Sequence, residues 1–107
     1  MKILHTAVIA ASLILATSAA VAGDAGAGKS AFASKGCAGC HGADGSTPMM
    51  KSTPPIPVLS GKGAAFIKKQ LIDFKSGTRK SATMNAMAGM LSDSDIDNVA
   101  AYLDTQK

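Results

Sequence analysis

The sequence predicts a small all-α domain with long irregular connections. Three observations lead there. Apolar residues recur at spacings of three and four in three separate stretches, and nowhere do they alternate convincingly with period two. All four prolines crowd into one segment, residues 42–61, between the helical stretches. Aromatic residues are scarce, with three Phe, one Tyr and no Trp. A chain of this size has little bulk of its own for a core, and such domains commonly lean on a cofactor, a metal or disulfides.

Residues 1–22 read as a cleaved leader. Lys2 precedes the run "AVIAASLILA" at 7–16, and Ala20-Val21-Ala22 has the small-x-small pattern of a signal peptidase site. The run falls short of the roughly 20 apolar residues that a membrane span needs, and Ser12, Thr17 and Ser18 interrupt the region. Cleavage after Ala22 is expected, with export to the periplasm, a single domain over 23–107, and no membrane span once the leader is gone.

Within that domain a first helix is expected from Ala25 to Lys35, stopped by Gly36. Gly28 and Phe32, four apart, share one face, and a partner helix can approach closely over the glycine. A second helix begins near Gly63, carries Phe66, Ile67, Leu71 and Phe74, and stops at Gly77. The third is the best defined. Ser92 with Asp95 three residues on resembles a capping box, Leu91 is placed to staple onto Ile96, and Ile96, Val99, Ala100 and Leu103 form its apolar stripe. Segments 42–61 and 78–90 are both expected to be irregular.

The full chain carries a net charge of +4 and contains no Glu. Lys62, Lys68, Lys69, Lys75, Arg79 and Lys80 lie mid-chain, whereas Asp93, Asp95, Asp97 and Asp104 lie near the end. With so few aromatics beside these lysines, no nucleic-acid surface is expected. A basic rim that steers an oppositely charged protein is the sharper reading.

The chemistry centres on "CAGCH", residues 37–41, which holds both cysteines. A zinc site needs about four ligands, and beyond the leader His41 is the only histidine. A redox dithiol would sit beside a βαβ pattern, which is missing. A disulfide across two residues would stabilise little, because the effect grows with loop length. Covalent haem attachment accounts for all three residues at once. Cys37 and Cys40 present both sulfurs to one side of a helical turn, and His41 brings an imidazole to the iron from the same face.

At these residues the chain resembles the small bacterial class I cytochromes c, the group that includes cytochromes c-553 and c5 and single domains of cytochrome c4. The likeness runs through "GKSAFASKGCAGCHGADG", "PVLSGKGAAFIKKQLIDFKSGTRK" and "MNAMAGMLSDSDIDNVAAYL". It implies helices wrapped round one haem c, bonded through Cys37 and Cys40, with the N- and C-terminal helices crossing at Gly28, Phe32 and Tyr102.

With histidine exhausted, a thioether is the remaining soft ligand for the second axial position, and Met paired with His raises the reduction potential. Met49 and Met50 follow His41 too closely to reach round the ring. The residues alone leave Met84, Met87 and Met90 open. The family register implies Met84, five residues after Arg79 and seven before Leu91, with Met87 as runner-up. The resemblance also implies that His41 donates its other ring N–H to the carbonyl of Pro57, near which Pro54 and Pro55 lie. In one respect the chain departs from the pattern. Relatives often carry Pro within "RK.P.M", where this chain has Ser81-Ala82-Thr83, which implies a softer loop and easier ligand exchange.

The implied function is one-electron transfer between redox proteins, not enzymatic turnover, because an iron ligated on both faces has no place for substrate. Transient docking would be steered by Lys62, Lys68, Lys69 and Lys75. Two alternatives stand beside it: the haem-bearing subunit of a larger dehydrogenase, such as a sulfide-oxidising flavocytochrome, and a ligand-binding haem sensor if Met84 leaves the iron readily.

Overall fold

Asp24 caps the first described helix. Its carboxylate accepts from the backbone N–H groups of Gly26 and Ala27 at 2.8 and 3.2 Å, two of the donors that a helix start leaves without partners. The computed structural model describes residues 23–106; the expected leader over 1–22 lies outside them. Among the described residues there are five helices: α1 (Ala25–Ser34), α2 (Cys37–His41), α3 (Ala64–Ser76), α4 (Ala82–Gly89) and α5 (Asp93–Thr105). None of them is long and apolar enough to cross a membrane.

The two terminal helices cross where Gly28 allows it. A β-carbon added there would lie 1.8 Å from the Asn98 carbonyl oxygen and 2.8 Å from Tyr102 Cβ, so no other residue permits this approach. Phe32 and Tyr102 meet beside the glycine with ring centroids 5.7 Å apart, a tilted pair worth about 0.5–1.5 kcal/mol beyond its buried area. The backbone N–H of Asp24 reaches across to Asn98 Oδ1 at 2.8 Å. The crossing thus unites a close backbone contact, an aromatic pair and a hydrogen bond.

Helix α3 lays Ile67 and Leu71 on the same core and ends where Gly77 adopts φ +80°. Helix α5 supplies Ile96, Val99, Ala100, Tyr102 and Leu103. Its start is the expected capping box: Ser92 Oγ accepts from Asp95 N, and the Asp95 carboxylate accepts from Ser92 N, both at 3.0 Å. Leu91, just before the cap, is buried in the same cluster as Ile96.

The expectation of an irregular segment over 78–90 is corrected by α4. Ser81 caps this helix through its hydroxyl, which accepts from Met84 N at 3.3 Å. Ala82, Met84, Ala86, Met87 and Ala88 all favour helix. They escaped detection because apolar side chains occur on every side of the turn, leaving no polar face and hence no period. Segment 42–61 does lack helix and strand. It is closed at its base by Leu59 N and Ser60 N, which donate to Gly45 O at 2.7 and 3.2 Å. Helix α5 holds it from below: Tyr102 Oη donates to Ala43 O at 2.9 Å.

Candidate functional site

The site begins where α1 ends. Gly36 turns the chain with φ +83°, a left-handed conformation that favours glycine, and so stops α1 and caps α2 in a single residue. The five residues of α2 are the CAGCH motif itself, so Cys37, Cys40 and His41 share one helical turn. The two cysteines are not bonded to each other and are half-buried. Burial pushes the Cys37 thiol above its ordinary value, a backbone hydrogen bond offsets part of that, and the neighbouring Cys40 adds a little. Redox dithiols work through a thiolate with a lowered pKa, so this direction is opposite to that of a disulfide oxidoreductase.

His41 is buried, with only 6% of its surface exposed. Its Nδ1 lies 2.9 Å from the carbonyl oxygen of Pro57. A carbonyl can only accept, so Nδ1 carries the proton, and in the neutral ring Nε2 keeps a free lone pair. Pro57 is therefore the proline that faces the ring, not Pro54 or Pro55. Loop closure brings it there, through the bonds of Leu59 and Ser60 to Gly45.

The methionines separate by position. Met49 and Met50 are 67% and 57% exposed in the proline-rich segment, and Met50 Sδ lies 3.7 Å from Cys40 Sγ. Met90 is exposed at the end of α4. Met84 packs on the hydrophobic core, on whose rim Cys37, Ala38 and Leu59 also lie. Met87 is half-buried and leans its methyl group toward Gly36, 3.2 Å from where a β-carbon would stand. Met87 is thus the methionine beside the start of the attachment motif, and Met84 is the one seated on the core.

The four lysines expected to steer docking are not equivalent. Lys68 pairs with Asp97 at 2.7 Å, and Lys69 with Asp73 at 2.6 Å. Lys75 donates to the Leu91 carbonyl and lies 3.9 Å from Asp93. Among the described residues Lys62 has no ion pair.

Two features escaped the sequence reading. The Tyr102 hydroxyl is a tether for the loop as well as a core ring, a role that an aromatic in an apolar stripe does not announce. Asn85, in the segment read as irregular, makes three hydrogen bonds to backbone; polar residues in loops are too common for that to stand out.

Comparison with known proteins agrees with this geometry. The cytochrome c family profile matches residues 25–107. Cytochrome c4 of Pseudomonas aeruginosa is 42% identical over 86 residues, covering 80% of this chain and 40% of that protein. Cytochrome c-554(548) of Halomonas halodenitrificans is 37% identical over 89 residues, covering 80% of this chain and all of its own length. The cytochrome subunit of sulfide dehydrogenase from Chlorobaculum tepidum is 41% identical over 66 residues, covering 62% of this chain and 56% of the subunit. The chain thus spans about two fifths of the length of the cytochrome c4 relatives. The side chains present suit a haem c: two cysteines on one turn to bond it, and an adjacent imidazole whose Nε2 is left available by the bond to Pro57.

Proposed function

Because this chain belongs to the cytochrome c family and carries one haem c through Cys37 and Cys40, we propose that it moves single electrons between redox proteins in the periplasm, with His41 and Met84 as the axial ligands. The supporting observation is the placement of those two side chains. His41 is oriented by Pro57, and Met84 is packed on the core that Cys37 also borders. The haem supplies a one-electron couple, and a thioether opposite an imidazole favours the reduced state.

Everything else is the work of the chain. The bond from His41 Nδ1–H to the Pro57 carbonyl fixes the ring plane and leaves Nε2 as the nitrogen that would hold the iron. Met84 would hold the iron on its other side, so that no substrate or gas would have a vacancy to enter. The core of Phe32, Leu71, Ile96 and Leu103 excludes water from one side and lowers the local dielectric, which limits the reorganisation that a change of charge demands. Docking is brief and uses a small surface, as transient redox complexes do. The lysines attract an acidic partner, and Lys62, which has no ion pair among the described residues, leads them.

A second reading has two observations in its favour. The Chlorobaculum relative is by name a subunit of a sulfide dehydrogenase, and Phe66 and Ile72 expose apolar surface on α3 here. A chain that docks permanently in a dehydrogenase would co-purify with a flavoprotein; a free carrier would not.

The test is an optical spectrum of protein matured in a bacterial periplasm, oxidised and reduced, beside Met84→Ala. A low-spin spectrum with the weak long-wavelength Met–iron band, lost in the variant, is the expected result. Persistence of the band in the variant would transfer the ligand role to Met87. A high-spin wild type that binds carbon monoxide would mean an open iron and a sensor.

A further inference from the structure

Residues 77–81, which connect α3 to the helix bearing Met84, contain no proline to stiffen them. One side chain ties them together instead. Asn85 Oδ1 accepts from Ser81 N at 2.9 Å, while its Nδ2 donates to Phe74 O and to Arg79 O, both at 2.8 Å. Three of the four hydrogen bonds that an asparagine side chain can form are used, all to backbone. Their partners lie in the last turn of α3, within the connection, and at the cap of α4. Ser81 is held twice, because its hydroxyl also accepts from Met84 N at 3.3 Å. The Arg79 guanidinium, 4.6 Å from the centre of the Phe74 ring, presses the connection onto α3.

We propose that Asn85 is the positioning residue that keeps Met84 at the iron, a role that rests on the reading of Met84 as ligand. A thioether is an uncharged, weak ligand. Its hold against a competitor depends on its effective concentration at the iron, and that falls as its tether loosens. Removing the clasp frees the connection without touching the attachment motif or the aromatic crossing of α1 and α5.

The experiment is an imidazole titration of the ferric holoprotein, following loss of the Met–iron band. Asn85→Ala is expected to bind imidazole about 10- to 100-fold more tightly, the combined effect of losing three neutral hydrogen bonds. Should that variant not fold, Asn85→Asp keeps the acceptor, loses both donors, and is expected to shift the same way by about tenfold. Adding Ala82→Pro to Asn85→Ala is expected to return affinity toward the wild-type value. Residue 82 is the first of α4, where proline is favoured, and Ser81 before it is extended at φ −160° and ψ 119°. Ser92→Ala weakens the domain at α5, away from the clasp, and should leave imidazole affinity unchanged.

Affinity of Asn85→Ala within about twofold of wild type, the usual scatter between independent sites, would overturn the proposal. So would an equal rise in Ser92→Ala, since it would assign the effect to general destabilisation. If Met84→Ala keeps the band, the ligand reading falls and takes this role with it. If Met84→Ala loses the band while Asn85→Ala titrates like wild type, only the role of Asn85 falls.

Discussion

Gly28→Ala tests the joint on which the fold depends. The added methyl would stand 1.8 Å from the Asn98 carbonyl oxygen, 2.5 Å from its carbon and 2.8 Å from Tyr102 Cβ. Carbon and oxygen approach comfortably to about 3.3 Å, so α1 and α5 must part by about 1.5 Å at the crossing. Overpacking of this kind costs about 1–3 kcal/mol. Parting also loosens the Phe32–Tyr102 pair, worth about 0.5–1.5 kcal/mol, and strains the bond from Asp24 N to Asn98, worth about 1 kcal/mol. The expected loss is about 3–5 kcal/mol, or at least roughly 12 °C in Tm for a domain of this size. Urea unfolding of the holoprotein, followed by far-ultraviolet circular dichroism, measures it. Gly89→Ala is the control: nothing lies within 4 Å of a β-carbon there, and a helical Gly→Ala change typically stabilises by about 0.4–1 kcal/mol. A Gly28→Ala loss below about 1 kcal/mol would refute the reasoning, because it would show that the helices yield at little cost.

Three further outcomes are expected. The Ser92 backbone N–H holds the Asp95 carboxyl below the ordinary carboxylate value; its stabilising effect is therefore complete above that value and is lost as pH falls through the lowered one, so Asp95→Asn should flatten the acid limb of a stability–pH curve and a parallel limb would count against the link. Lys62→Glu should change the ionic-strength dependence of oxidation by ferricyanide, a small anion, more than Lys68→Glu or Lys69→Glu, whose charges already face Asp97 and Asp73; equal slopes in all three would remove the special place of Lys62. Tyr102→Phe should cost about 1 kcal/mol and speed amide exchange of the loop around Ala43, whereas unchanged exchange would mean the hydroxyl does not hold it.

The helices whose edges carry strong local chemistry were legible. Asp24 and Ser92 lead into their helices, Gly36 and Gly77 close theirs, α1 and α3 begin and end within a residue or so of the sequence reading, and α5 begins at the expected cap. Helix α4 was not legible. Its alanines and methionines present no polar face, and the methionines drew attention as ligands instead of as helix formers. In the site, the cysteines and His41 stood out because their spacing is chemically specific. The separation of Met84 from Met87 came from family register, since three thioethers at intervals of three residues are chemically alike. Asn85 left no mark at all, because its three partners are backbone atoms that any residue possesses.

The sequence alone determines what is local and covalent: two thiols and an imidazole on one turn, caps that start helices, a glycine small enough to be crossed. These follow from bond geometry and from residues a few positions apart. Tertiary structure decided which groups meet across distance. Only folding brings the Pro57 carbonyl to His41, sets Asn98 against Gly28, and pairs Lys68 with Asp97 while leaving Lys62 without an ion pair among the described residues. Such pairings depend on how whole helices are placed, and that placement is set by the sum of many weak packing contacts instead of any motif.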